Sequence, residues 1–129
     1  MNSEVRRINK GCAEAEGACV HKWRKTDFGW KCDICNKHDV QSINKPPTTD
    51  IDYCKTSGSA LKFCERVKVY AIEGYPECIF SRDDITIYSP TVKVSAGFDK
   101  FESIDRACGF ATCWWALEVL KQVRNINSN

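Results

Sequence analysis

Two close pairs of metal-binding residue types, Cys19-x-His21 and Cys32-x-x-Cys35, are separated by residues 22–31. Zinc takes four tetrahedral sulfur and nitrogen ligands, and structural sites supply them as two pairs from tight turns. The spacing therefore predicts one structural Zn2+ ion held by Cys19, His21, Cys32 and Cys35. Two neighbours compete for a place in the set, Cys12 through Cys12-x6-Cys19 and His38 through Cys35-x-x-His38. A dithiol redox role is the other reading of Cys32-x-x-Cys35. The thioredoxin-type pattern wants that motif opening a helix within a βαβ unit, and no such unit is legible around it.

Between the pairs, Lys22 to Lys31 reads as a hairpin with Gly29 at its turn or bulge. Lys22, Trp23, Arg24, Lys25, Trp30 and Lys31 interleave cations with aromatic rings. That combination contacts phosphates and stacks on bases, so these six are candidate nucleic-acid contacts. The competing reading makes Trp23 and Trp30 a cross-strand pair that fills the small core of a metal module.

What must position these residues is a chain of 129 amino acids, 43% hydrophobic and 28% charged. That is a globular composition. No apolar run approaches the roughly 18 to 20 residues of a membrane span, and Met1–Arg7 is charged with no apolar stretch behind it. A soluble cytosolic protein with no membrane partner is expected. Nine cysteines is an odd count, which with no export signal argues against a complete disulfide framework. Residues 1–45 carry a net charge of +3 and residues 46–129 carry −1. The overall pI near 8.1 is below that of a dedicated nucleic-acid binder.

The proline pair in Lys45-Pro46-Pro47-Thr48-Thr49-Asp50 marks a linker. It divides the chain into a zinc-ribbon-like module over 1–45 and a second domain over 46–129. The first segment is poor in aliphatic residues and is expected to fold only with its metal. In the second, Ala60, Leu61, Cys64 and Val67 predict an amphipathic helix over 57–67, its start reaching back towards a Thr49-Asp50 cap. Strands are expected over 67–72, 77–81, 85–88 and 91–95, with Arg82-Asp83-Asp84 as a hairpin turn. A final helix runs from Ser103 to about Val123, capped by Ser103 or Asp99. It is apolar nearly all round from Ala107 to Leu117, apart from a lean stripe of Asp105, Gly109, Thr112 and Ala116. The fold class is α+β: the ribbon module, then an antiparallel sheet of three to four strands with two packed helices.

Cys-x-His-x-Trp, Cys-x-x-Cys and the Pro-Pro-Thr-Thr-Asp50-Ile51 segment together resemble small bacteriophage-encoded proteins of the phage ABA-sandwich family. Ala107-Cys108-Gly109-Phe110-Ala111 resembles the alanine-rich closing helix of that family. The resemblance covers residues 19–38 and 46–123. It implies a helix–sheet–helix fold, a viral origin and residence in the host cytoplasm, and it carries over no catalytic residue.

No glycine-rich phosphate loop, Gly-x-Ser-x-Gly or His-Glu-x-x-His motif is present, and the sequence predicts no enzyme. Asp83-Asp84, Glu73 and Glu77 read as solvated turn residues. Cys54, Cys64, Cys78, Cys108 and Cys113 lack metal-like spacing and read mostly as buried thiols. The expected function is that of a phage accessory protein that acts by binding, inhibiting a host defence or other host component, with a host protein as partner and Trp114 and Trp115 as candidate interface anchors. Nucleic-acid binding through the ribbon and sequestration of a small-molecule ligand are the alternatives. The lean stripe on the last helix also permits close approach of a second copy, as a homodimer.

Overall fold

The computed structural model describes residues 2–18, 21–40 and 51–127. In chain order these form α1 (Ser3–Glu16), β1 (Trp23–Thr26), β2 (Gly29–Cys32), β3 (His38–Asp39), α2 (Ser57–Arg66), α3 (Val69–Glu73), β4 (Glu77–Phe80), β5 (Asp84–Tyr88), β6 (Lys93–Gly97), a 3₁₀ turn (Phe98–Lys100) and α4 (Ile104–Asn127). The class is α+β, with two antiparallel sheets ordered β1-β2-β3 and β4-β5-β6. No helix among the described residues is long and apolar enough to cross a membrane. The expected linker at 45–50, with its Thr49-Asp50 cap, lies outside the described residues.

The β4-β5-β6 meander follows the alternation of its sequence. Ile85 pairs with Ala96 and Ile87 with Val94 in register, and all four are buried while Thr86 and Ser95 share the opposite face. That apolar face lies on α4. Helix α4 opens with Ser103, whose hydroxyl accepts the Arg106 N–H at 3.0 Å, a cap that the sequence predicts. Its centre is enclosed on every side, by β5 and β6, by α2 and α3, and by α1. Ala107, Phe110, Ala111, Cys113, Trp115, Ala116 and Val119 are all buried there. Trp115 donates its Nε1–H to Ser89 Oγ at 2.9 Å, which gives the buried indole its polar partner.

Several expectations are corrected. The lean stripe does admit a close neighbour, but the neighbour is this chain. A Cβ on Gly109 would stand 2.6 Å from the Cys54 carbonyl oxygen and 2.8 Å from that of Thr56. Asp105 accepts the Ser57 N–H at 2.9 Å, and Thr112 and Ala116 are buried. The stripe is therefore occupied within the monomer and no longer argues for a homodimer. Helix α2 is capped at Thr56, whose side chain accepts from Ser59 N while Ser59 Oγ accepts from Thr56 N. Its buried face is Ala60, Phe63 and Cys64, with Leu61 turned outwards.

Residues 67–72, expected as a strand, instead finish α2 and form α3. Lys68 adopts a left-handed φ of 58°, which breaks an extended run. Gly74 N–H then closes the helical turn on the Tyr70 carbonyl. The last strand begins at Lys93, so Thr91 lies in the preceding loop. There its N–H and Oγ1–H donate to Glu73, as does Ser89 Oγ–H. Glu73 is thus a tie between α3 and the β5–β6 loop and not a solvated turn residue.

The largest correction is at the N-terminus. Residues 3–16, assigned by the sequence to the metal module, form α1 in the main core. Asn2 caps it by accepting the Val5 N–H, and Gly17 ends it in the left-handed conformation. Val5, Ile8 and Cys12, spaced three and four apart, are buried against the rest of the core. Buried Asn9 holds the helix in place, donating to Asp52 Oδ1 at 3.1 Å and accepting from Cys54 N at 3.2 Å. Asp52 in turn pairs with Arg106 of α4. Among the described residues, the β1-β2-β3 ribbon therefore occupies 21–40, and residues 3–16 of the expected 1–45 module belong to the main core.

Ile8→Ala should accordingly destabilise the whole domain by about 2–5 kcal/mol, the cost of truncating a buried aliphatic residue, with or without a chelator present. An unchanged urea midpoint would place α1 outside the core. Gly109→Ala should cost about 1–3 kcal/mol through overpacking against fixed carbonyls, again read as a lower urea midpoint. Unchanged stability there would mean that the α2–α4 approach is looser than described.

Candidate metal centre

The ribbon is built by register. Trp23 lies opposite Cys32, Arg24 opposite Lys31, Lys25 opposite Trp30 and Thr26 opposite Gly29. Asp27 and Phe28 make the two-residue connection. Gly29 has a φ of 121°, and a Cβ there would fall 2.3 Å from the Asp39 carbonyl oxygen. Only glycine lets β3 come this close, so the residue read as a turn or bulge position has a direct steric reason.

After Cys32 the chain folds back tightly. Asn36 N–H donates to the Cys32 carbonyl at 2.9 Å and Cys32 N–H to the Lys37 carbonyl at 2.9 Å. Asn36 takes a left-handed φ of 63° to make the return, a conformation asparagine tolerates. This turn brings Cys35 back beside Cys32, and Asp33 N–H donates to the Lys22 carbonyl, extending the β1–β2 ladder towards His21. As a result His21, Cys32 and Cys35 have ligand atoms all within 4.8 Å of one another. His21 Nδ1 stands 3.3 Å from Cys35 Sγ, and the His21 ring packs against Trp23 at 4.7 Å.

The electrostatics suit a bound cation. Burial opposes ionisation of Cys32, but hydrogen bonds from the Cys35 backbone, the His21 side chain and the Ile34 and Lys22 backbones outweigh it. They lower the thiol to about 5, which favours the thiolate. Ile34 N–H lies 3.4 Å from Cys32 Sγ. Metal ligation requires the thiolate, and a cluster of two sulfurs and one imidazole nitrogen has the donor set to hold a metal ion.

The structure brings together three of the four ligands expected from the sequence. The fourth, Cys19, lies outside the described residues. Both competitors lie elsewhere. Cys12 is fully buried on α1, within hydrogen-bonding reach of Cys113 in the main core. His38 pairs in register with Lys31, on the sheet face opposite Cys32. The Cys32-x-x-Cys35 turn follows a strand and opens no helix, which is not the setting of a thioredoxin-type dithiol.

The six cation and aromatic positions separate in the same way. Trp23, Lys25 and Trp30 share the face of Cys32, with Asp39 beside Trp30. Lys22, Arg24 and Lys31 lie on the other face, joined by His38. Trp23 and Trp30 are half-buried diagonal neighbours on the metal side. Sequence reading weighed His38 only as a ligand; the two-residue period of the strands is the signal that places it beside Lys31 on the opposite face instead.

Of the remaining candidates, Trp115 belongs to the core. Trp114 is half-buried beside Phe110, where it lines a groove between α1 and α4 of about 270 Å³ with Arg7, Lys10 and Leu117. Cys54, Cys64 and Cys113 are buried thiols, Cys108 is half-buried and Cys78 is exposed on β4. Hydrogen bonding to Cys12 and Cys54, together with burial, holds Cys113 well above the usual thiol range. Of the Asp83-Asp84 pair, Asp83 lies exposed in the β4–β5 turn, while Asp84 is the half-buried first residue of β5 and accepts from Ser81 Oγ at 2.7 Å. The chain matches no protein-family model, and no curated protein or solved structure is detectably similar to it.

Cys32→Ser and Cys35→Ser should each lose bound metal, whereas His38→Ala and Cys12→Ser should retain it. Metal analysis of the purified variants reads this directly. Full metal content in the Cys32→Ser, Cys35→Ser double variant would refute the assignment.

Proposed function

We propose that this chain is a zinc-binding accessory protein that acts by binding a macromolecule of its host, with one structural zinc ion organising residues 21–40. The convergence of His21, Cys32 and Cys35 carries the reading. Two cysteine sulfurs and an imidazole nitrogen are borderline-soft donors that suit zinc, and Cys19, two residues before His21, would complete a Cys3His set. In this reading Cys32 and Cys35 arrive from the knuckle turn, while Cys19 and His21 arrive from the segment leading into β1. The short strands carry almost no aliphatic side chains, so the metal supplies the cross-link that a hydrophobic core would otherwise provide.

The reading assigns the protein no reaction. The sequence resemblance to small phage proteins supports a host macromolecule as the target. It does not distinguish a protein from a nucleic acid.

Removing the metal with a chelator should collapse the dispersed amide resonances of residues 21–40 while those of α1, α2, α4 and β4–β6 keep their positions. About one zinc per chain should be released. Retention of the ribbon resonances in metal-free protein would sink the structural-zinc reading, as would a chain that takes up no zinc.

A further inference from the structure

We infer that the outer face of the ribbon, carrying Lys22, Arg24, Lys31 and His38, binds the sugar–phosphate backbone of single-stranded nucleic acid. This rests on the reading of residues 21–40 as a metal-held ribbon and names the partner that such a module would present a surface to.

The argument begins with register. Arg24 on β1 lies directly opposite Lys31 on β2, and Lys31 directly opposite His38 on β3. The three side chains therefore form one row across the sheet, about 10 Å from end to end at ordinary strand spacing. Lys22 extends the row along β1, two residues from Arg24. His21, Cys32, Trp23 and Trp30 occupy the other face, so the outer face has no role in closing the metal centre. Lys22, Arg24 and His38 are exposed, and Lys31 is half-buried between its two cross-strand neighbours.

Placing cations directly opposite one another on neighbouring strands is unfavourable. The fold does little to relieve it. Arg24 pairs with Asp33 at 3.0 Å across an exposed surface, a type of contact worth little. Lys22 and Lys31 enter no ion pair among the described residues. Lys22, Arg24 and Lys31 with one neutralising carboxylate leave this face net positive and complementary to a polyanion, and covering it with phosphates would relieve the repulsion.

Shape selects the kind of polyanion. The row is carried on strands of two to four residues, and residues 21–40 contain no helix, so the ribbon presents no recognition helix to a duplex major groove. At the margins of the same surface stand Phe28, 83% exposed at the hairpin tip, and Val40, 69% exposed beyond His38. An exposed ring beside a cationic track is the combination on which an unpaired base stacks while its phosphates lie along the cations.

The test uses the full-length protein and a fluorescein-labelled 20-nucleotide oligo-dT, read by fluorescence anisotropy between about 50 and 200 mM salt. With three cations engaged, log K should fall against log salt with a slope of about −2, at about 0.7 per phosphate contact on a single strand. Lys22→Ala, Lys31→Ala together should reduce that slope by more than one and weaken binding at least tenfold at the lowest salt. Phe28→Ala should weaken it about fivefold or more. Lys25→Ala, on the metal face, should change it less than twofold. Zinc content and amide dispersion of each variant establish that the ribbon remains folded.

Absence of binding at about 50 mM salt would overturn the inference, as would binding that the double lysine variant leaves unchanged. Equal or tighter binding of poly-glutamate would overturn it in favour of an acidic protein partner, and equal or tighter binding of the matching duplex would overturn the single-strand assignment. Full zinc content with no oligonucleotide binding removes only this inference. A chain that holds no zinc yet binds the oligonucleotide with the stated slope removes the metal reading and keeps the surface.

Discussion

Burying an amphipathic helix needs one apolar stripe, but α4 is apolar on nearly every side between Ala107 and Val119, and this requirement organises the main domain. Such a helix is stable in water only when wrapped. The β4-β5-β6 sheet covers one side and α1, α2 and α3 cover the others. The tightest point is Gly109, where the backbone at Cys54 and Thr56 passes so close that no side chain fits. Polar groups then fix the arrangement. Asn9 from α1 bonds to Asp52 and Cys54, and Asp52 pairs with Arg106 of α4. One contiguous set of hydrogen bonds thereby links the first helix, the lead into α2 and the last helix.

The ribbon is stabilised by a different principle. Its strands are two to four residues long, and its only fully buried side chain among the described residues is that of Cys32. A sheet this small cannot exclude enough water to hold itself together. What it has instead is convergence: the turn after Cys32, the tolerance of Asn36 for a left-handed backbone and the glycine at position 29 all serve to bring sulfur and nitrogen donors to one point. The two tryptophans half-cover that side and add apolar surface where there is almost no aliphatic residue to do so.

Much of this was legible in the sequence, and the failures have physical causes. The β4–β5 hairpin and α4 were readable because each has a strong single period and a recognisable boundary, Arg82-Asp83-Asp84 for the first and Ser103 for the second. Helix α1 was missed because Arg6, Arg7, Lys10 and Glu14 dominate its composition, although Val5, Ile8 and Cys12 stand at helical spacing and Gly17 marks its end. The alternation at 67–72 was real but short enough to suit one helical turn equally well, and the backbone reversal at Lys68 decided between them. The lean stripe of α4 was correctly associated with a close approach. Which backbone approaches is a tertiary fact, since spacing on one helix does not distinguish a segment of the same chain from a second copy. Cysteine spacing separated the ribbon thiols from the core thiols but left Cys12 ambiguous, because twelve residues of sequence do not reveal that a helix carries it into another core.

The alternation of the ribbon strands links its two faces more closely than composition suggests. Lys31 and Cys32 are adjacent, so they project to opposite sides of β2. The same holds for His21 and Lys22, and for Trp23 and Arg24. A slip of one residue in the β1–β2 register would exchange the faces, bringing Lys31 towards the metal donors and turning Cys32 out to solvent. The cluster of His21, Cys32 and Cys35 is compatible with only one of these registers. The register that brings these donors together is also the one in which Lys22, Arg24, Lys31 and His38 share the opposite face as a continuous row. The donor cluster and the cationic surface are thus two consequences of a single strand pairing.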